Sequence, residues 1–325
     1  MNDSNLTRYF TPIETTFIAF IMLLAMALTL FGNCLVLLYV CPKIAIRTVA
    51  GGLMTNLAIV DLLVGCLLMP FNAVSFLFSG WYFEPSTCQF FAFVNTTLCI
   101  LSTLTLSIIS LDRYICIAKP LQYHSIFTIL SIRFIIPFLW IIALTIASLP
   151  FFHIGRYAYV SHEFQCWILP SSSIRLIIII LSILCFCVTI ILISYSLIYN
   201  EARKTKRRIA CISSISNNSS RMRHYDYKTA KTMLLVVGLF LSCWIPRTIL
   251  LLWYTQNNSS TFQATWPLLC TWLALTNSTI NPFIYCVHNS YYRSILMMAL
   301  KRQCCKRRSR THNIAGNFPL SMYNN

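Results

Sequence analysis

The sequence predicts an all-α membrane protein: a seven-transmembrane helix bundle followed by a short amphipathic eighth helix. Three observations predict it. The 325 residues are 57% hydrophobic and only 10% charged, whereas a soluble domain averages roughly 25% charged residues. Seven apolar stretches recur, each about as long as the ~20 residues that cross hydrocarbon. Nearly all the positive charge lies on one side of them. That many spans leave too little polar sequence to cover a soluble helical core.

The spans run near 13–40, 49–77, 87–117, 131–152, 172–199, 229–254 and 262–287. The fourth is the shortest and the seventh the most polar. Residues 1–12 then form an extracellular N-terminus, 13–287 the bundle, 288–302 the eighth helix and 303–325 a cytoplasmic tail. The opening residues lack a basic-then-apolar leader, so the first span is expected to act as the signal anchor.

Orientation follows from Lys and Arg. With the N-terminus outside, every one of them except Arg8, Arg156, Arg175 and Arg247 falls on the inner loops or tail. This predicts a multi-pass protein of the plasma membrane, N-terminus out and C-terminus in. The net charge of +17 would suggest nucleic acid in a soluble protein. Here it more simply faces anionic inner-leaflet lipid.

Modification sites follow from the same topology. The sequons at Asn2, Asn5, Asn257 and Asn258 fall outside and are candidate glycosylation sites. Cys88 and Cys166 lie at outer positions, where oxidation is permitted, and are expected to form a disulfide tying helix three to the second outer loop. Cys304 and Cys305 follow an amphipathic stretch among basic residues and are candidates for palmitoylation.

Motifs then recur in order. They are Gly32-Asn33; Asn56 to Asp61; Cys88 and later Asp112-Arg113-Tyr114; Trp140 and Pro150; Phe240, Trp244 and Pro246; Asn281-Pro282 and Tyr285, with Tyr292-Arg293 after them. This set, spread over nearly the whole chain, resembles the rhodopsin-like (class A) G-protein-coupled receptors. The resemblance implies a receptor that binds an extracellular ligand and activates a heterotrimeric G protein. A receptor kinase and arrestin are further expected partners, acting on Ser213, Ser214, Ser216, Ser219, Ser220, Ser309 and Thr311.

The resemblance also implies roles. Cys88 to Arg113 covers about 37 Å of helix, so the two ends lie on opposite sides. Arg113 is expected to pair with Asp112 and with Asp226 at the inner start of helix six. Breaking the second bond would let helix six swing outward. Tyr195 would then step in beside Arg113. Pro246 and Pro282 are expected bending points, with Trp244 and Tyr285 as the side chains that repack. Asp61 lies mid-span, where a carboxylate marks function. With Asn33, Ser102, Asn277, Ser278 and Asn281 it matches the family's sodium cluster; the alternative is a protonated Asp61 held by hydrogen bonds. Apart from an allosteric sodium ion no cofactor is expected.

The outer half departs from the pattern. Helix five has Cys187 where the family usually has proline, and Thr103 replaces a bulky aliphatic residue. Amine receptors of the family place an aspartate where this chain has Asn95, which argues against a monoamine despite the amine-receptor-like Trp272. No lysine lies in 262–287, which argues against retinal. The pocket is orphan-like. Arg247 shares the inward stripe of Phe240 and Trp244. An unpaired arginine in hydrocarbon costs about 2.5–3.5 kcal/mol. It should meet water, an internal partner such as Glu84 or Glu163, or an anionic ligand group. Arg247, Asn95, Thr271 and Trp244 are the candidate ligand site, for a peptide or an anionic small molecule. Residues 157–160 and 163–167 alternate like two short strands of a hairpin.

Other classes fit poorly. A transporter would show repeats and broken helices, and neither is evident. No paired aspartates, zinc-ligand set or nucleophile–base pair suggests an enzyme.

Overall fold

The computed structural model describes residues 10–44, 48–211, 238–255, 265–288, 293–295 and 297–298. Helix one, Pro12–Leu35, begins where the Thr11 and Glu14 side chains each accept a hydrogen bond from the other's backbone N–H, a capping box. It continues through a π-turn, Val36–Val40, into Cys41–Ile44. Helix two follows the same plan, with Val49–Leu63, a π-turn at Val64–Leu68 and Met69–Leu77. Pro42 and Pro70 stand just beyond the two π-turns. Proline lacks the N–H for the carbonyl four residues back, and its ring crowds that carbonyl. A widened turn relieves both.

Helix three, Pro85–Ala118, has 34 residues and is about 51 Å long at ~1.5 Å per residue. A short helix, Pro120–Ile126, turns the chain at its end. Helix four, Ile129–Ser148, starts in a second capping box, Thr128 with Ser131, and tightens into a 3₁₀ turn at Leu149–Phe152. Helix five, Ile174–Cys211, runs on past the expected end near 199. Helix six is described over 238–255. Helix seven is Thr265–His288, with Pro282 inside it. Among the described residues, the first five helices are long and apolar enough to cross a membrane. The seventh carries the polar stripe Thr271, Asn277, Ser278, Thr279 and Asn281, all of it buried.

Helix three is the axis of the bundle. It packs on helices two, four and five and on both strands of the hairpin. Within the apolar core of each span, 72% of helix three is buried, against 17% for helix four. Such burial demands that its hydroxyls be satisfied internally. Thr96, Thr97, Thr103, Thr105 and Ser110 each donate to the carbonyl one turn back. The outward faces instead present large apolar side chains, among them Phe20, Phe31, Phe134, Phe138, Phe186 and Leu192, as a lipid-facing surface requires. Beyond helix seven, residues 293–295 are helical. Ile295 is buried against Val36, Val40, Cys41 and Ala58, while Arg293, Met297 and Met298 are exposed. Ile295 thus docks this segment on helices one and two.

A hairpin closes the end of the bundle opposite Arg113. Strand β1, Tyr157–Val160, pairs antiparallel with β2, Gln165–Ile168. The second strand starts later than the alternation suggested. Glu163 lies instead in the 3₁₀ turn Ser161–Glu163, ended by Phe164 in a left-handed conformation at φ 51°. The Cys88–Cys166 disulfide ties β2 to the first turn of helix three.

Candidate functional site

Two polar seams first lock the helices that frame the site. Asn56 donates to Thr105 Oγ1 at 3.0 Å and accepts from Trp140 Nε1 at 3.0 Å, joining helices two, three and four. Asn33 donates to the Ser278 carbonyl at 3.0 Å, and the Thr29 and Thr279 hydroxyls meet at 2.6 Å, joining helices one and seven. Gly32 permits this approach, since a Cβ there would lie 3.0 Å from Pro282 Cβ.

Between these seams lies a cavity lined by Asn95, Gln165, Trp167, Trp244, Arg247 and Thr271 near the hairpin. Ser102, Asn277 and Ser278 line its far end. The four residues singled out for ligand binding therefore share one space with three of those singled out for sodium. Only about 30 Å³ is open, room for one or two waters. A second small cavity of about 40 Å³ shares Cys99, Trp167, Trp244 and Arg247. Its remaining wall is mainly apolar, with Ile180, Ile183, Leu184 and Leu251.

Arg247 meets an internal partner, and the partner is Glu163 rather than Glu84. Its Nη1 pairs with Glu163 Oε2 and also donates to Thr271 Oγ1 at 2.9 Å. Its guanidinium carbon lies 5.4 Å from the centre of the Trp167 ring, a cation–π contact. Its Nη2 is buried and makes no hydrogen bond among the described residues. Gln165 connects the pair to the helices. It donates to Glu163 Oε2 at 2.9 Å and accepts from Asn95 and Asn72, each at 3.4 Å. Sequence reasoning missed Gln165 and Asn72. Gln165 adjoins Cys166, so the disulfide to Cys88 necessarily hangs it over helix three near Asn95, and that was the available signal.

Asp61 is fully buried. Asn281 donates to its Oδ2 at 2.8 Å. Its Oδ1 accepts no hydrogen bond among the described residues, and Ser278 lies beside the carboxyl. Asn33, by contrast, spends its amide on the Thr29 and Ser278 carbonyls. The set is rich in oxygen ligands, which suit a hard cation.

At the other end, Arg113 Nε donates to Asp112 Oδ2 at 2.8 Å and its Nη2 meets the same oxygen. Tyr123, in the short helix, donates to Asp112 Oδ1 at 2.8 Å. Burial and the Asp112 carboxylate push the Tyr123 phenol well above its ordinary range, so it stays protonated and remains a donor. Tyr195 is buried beside Ser110, within electrostatic range of Arg113. Tyr114 is half-buried and packs on the core that holds Tyr195 and Phe240. Cys187 is fully buried beside Ser107, and helix five passes through it unbroken. Trp244 stacks near Phe240 at 5.9 Å between ring centres, with Pro246 half-buried just beyond. Tyr285 is helical in backbone, within helix seven. Its side chain lies outside the described residues, as do Asp226, Tyr292, Asn2, Asn5, Asn257, Asn258, Cys304 and Cys305.

A buried polar cavity at one end of a seven-helix bundle, and an Asp-Arg-Tyr cluster at the other, define a transmembrane signalling receptor. The chain belongs to the seven-transmembrane receptor (rhodopsin) family, whose model matches residues 32–285. It is a G-protein-coupled receptor and not an enzyme. It is similar to a trace amine-associated receptor of Petromyzon marinus, 29% identical over 303 residues, 88% of this chain and 80% of that one. It is also similar to the histamine H2 receptor of Cavia porcellus, 28% identical over 307 residues, 91% of this chain and 82% of that one. The crystal structure of squid rhodopsin matches its fold with a TM-score of 0.80 at 20% identity, covering 94% of this chain and 93% of that chain.

Proposed function

We propose that this receptor lies in the plasma membrane with the hairpin outside and Arg113 inside. It binds a ligand with an anionic group, a peptide terminus or a small organic acid, at Arg247, Asn95, Thr271 and Trp244. The observation behind this reading is the Arg247 guanidinium. It is 5% exposed, faces the cavity, and holds an Nη2 with no hydrogen bond among the described residues. Guanidinium geometry favours bidentate carboxylate recognition, and a carboxylate entering here would compete with Glu163 for it.

Ligand engagement would repack Trp244 against Phe240 and release helix six, opening the Arg113 end to a heterotrimeric G protein. A sodium ion at Asp61 would stabilise the resting arrangement. A receptor kinase and arrestin would act afterwards on the cytoplasmic face. The neutralised Asn95 weakens the rival reading, an amine receptor. The names of the relatives favour that rival, as does Glu163, a carboxylate near the cavity. The deciding experiment is G-protein activation in transfected cells by peptide, organic-acid and amine panels, on wild type and Arg247→Met. Loss of the response to acids or peptides is expected in the variant. An agonist whose potency is unchanged in Arg247→Met would sink the anchoring role.

A further inference from the structure

The geometry points to a zwitterionic ligand, an α-amino acid with an apolar side chain, bound between Glu163 and Arg247. The inference rests on the anionic-ligand reading and adds a second charge to it. Glu163 and Arg247 have side chains 3% and 6% exposed, so neither charge is solvated when the pair opens. Removing one partner of such a buried pair strands the other, which is strongly unfavourable. A ligand that inserts at Arg247 displaces the Glu163 carboxylate. A simple anion satisfies Arg247 and strands Glu163. A simple amine satisfies Glu163 and strands Arg247. A zwitterion meets both, placing its carboxylate on Arg247 and its ammonium on Glu163.

The surroundings fit that division. Beside Arg247, Thr271 and the unused Nη2 offer the carboxylate further hydrogen bonds. Beside Glu163, Gln165 and Asn95 are neutral and add no competing cation. The second cavity, which shares Trp244 and Arg247 with the first, turns Ile180, Ile183, Leu184 and Leu251 toward the space where a side chain would go. Glu163 sits on the turn of the hairpin rather than on a helix. The ligand can therefore be admitted by displacing that turn, while Cys166 keeps β2 in place. The amine-receptor character of the relatives and the absence of an aspartate at Asn95 are then compatible, because the ammonium partner is Glu163.

The test compares three matched series on the full-length receptor in cells. They are apolar free α-amino acids, their N-acetyl acids (anion only) and their decarboxylated amines (cation only). G-protein activation is normalised to surface expression. The free amino acids are expected to be at least about a hundredfold more potent than either partner series. Glu163→Gln should abolish the discrimination against N-acetyl acids, and Arg247→Met the discrimination against amines. Equal or greater potency of N-acetyl acids on wild type, lost in Arg247→Met, overturns the zwitterion and leaves the anionic reading standing. Activation by amines alone, indifferent to Arg247→Met, overturns both. No response to any series overturns the zwitterion, while the peptide panel still judges the anionic reading.

Discussion

Glu163 and Arg247 form a buried ion pair between the turn of the hairpin and the middle of helix six. It links the element that covers the cavity to the helix expected to move. Breaking such a pair from one side typically costs about 3–5 kcal/mol, whereas replacing both charges is often neutral. Glu163→Gln is therefore expected to lower the unfolding free energy of the purified receptor by roughly that amount. The double variant Glu163→Gln/Arg247→Met should recover most of the loss. Thermal unfolding of the three proteins checks this; a single variant as stable as wild type refutes it.

Asn281 donates to Asp61 Oδ2 and Ser278 lies beside the carboxyl, while Oδ1 has no hydrogen bond among the described residues. If sodium supplies the missing partner, sodium chloride should raise the melting temperature above that in N-methylglucamine chloride. The difference should vanish in Asp61→Asn. Equal sodium sensitivity in the variant would move the ion elsewhere.

Tyr123 holds Asp112 from the short helix at 2.8 Å, opposite the Arg113 contact. A hydrogen bond to a charged group contributes about 1.5–3 kcal/mol. Tyr123→Phe loosens Asp112, and part of that loss should appear as a roughly threefold to tenfold rise in agonist-free nucleotide exchange. Exchange at the wild-type level would show that Asp112 does not restrain Arg113 through this contact.

Gly32 faces Pro282 so closely that a Cβ would meet it at 3.0 Å. Gly32→Val should push helices one and seven apart and cost about 1–3 kcal/mol of stability, the usual penalty for overpacking. Gly80→Ala, where the nearest atom would be 3.6 Å away, serves as the control with no expected change in melting temperature.

Much of this was legible in the sequence. Spans one to four matched to within about two residues because hydropathy acts over short windows. The Thr11–Glu14 capping box, complete within four residues, is a local signal of the same kind that the hydropathy pattern leaves out. The π-turns were not read, although Pro42 and Pro70 mark them, because a proline can be relieved by a kink as easily as by a wide turn. The hairpin was read, but its register was not: Phe164 takes a left-handed conformation that no alternation pattern encodes.

Apolar lengths, the basic side and the ordered motifs already specify the class of protein, a seven-helix receptor. The sequence also marked Arg247 as a charge that required a partner, since a lone cation in an apolar span is unfavourable in any fold. The choice of Glu163 over Glu84 came from contacts distant in the chain. That choice depends on the Cys88–Cys166 tether, the pairing of Tyr159 with Cys166, and the phase at which helix six meets the hairpin. Each of these is a contact between residues far apart in the chain, and local sequence preference carries no information about their distance.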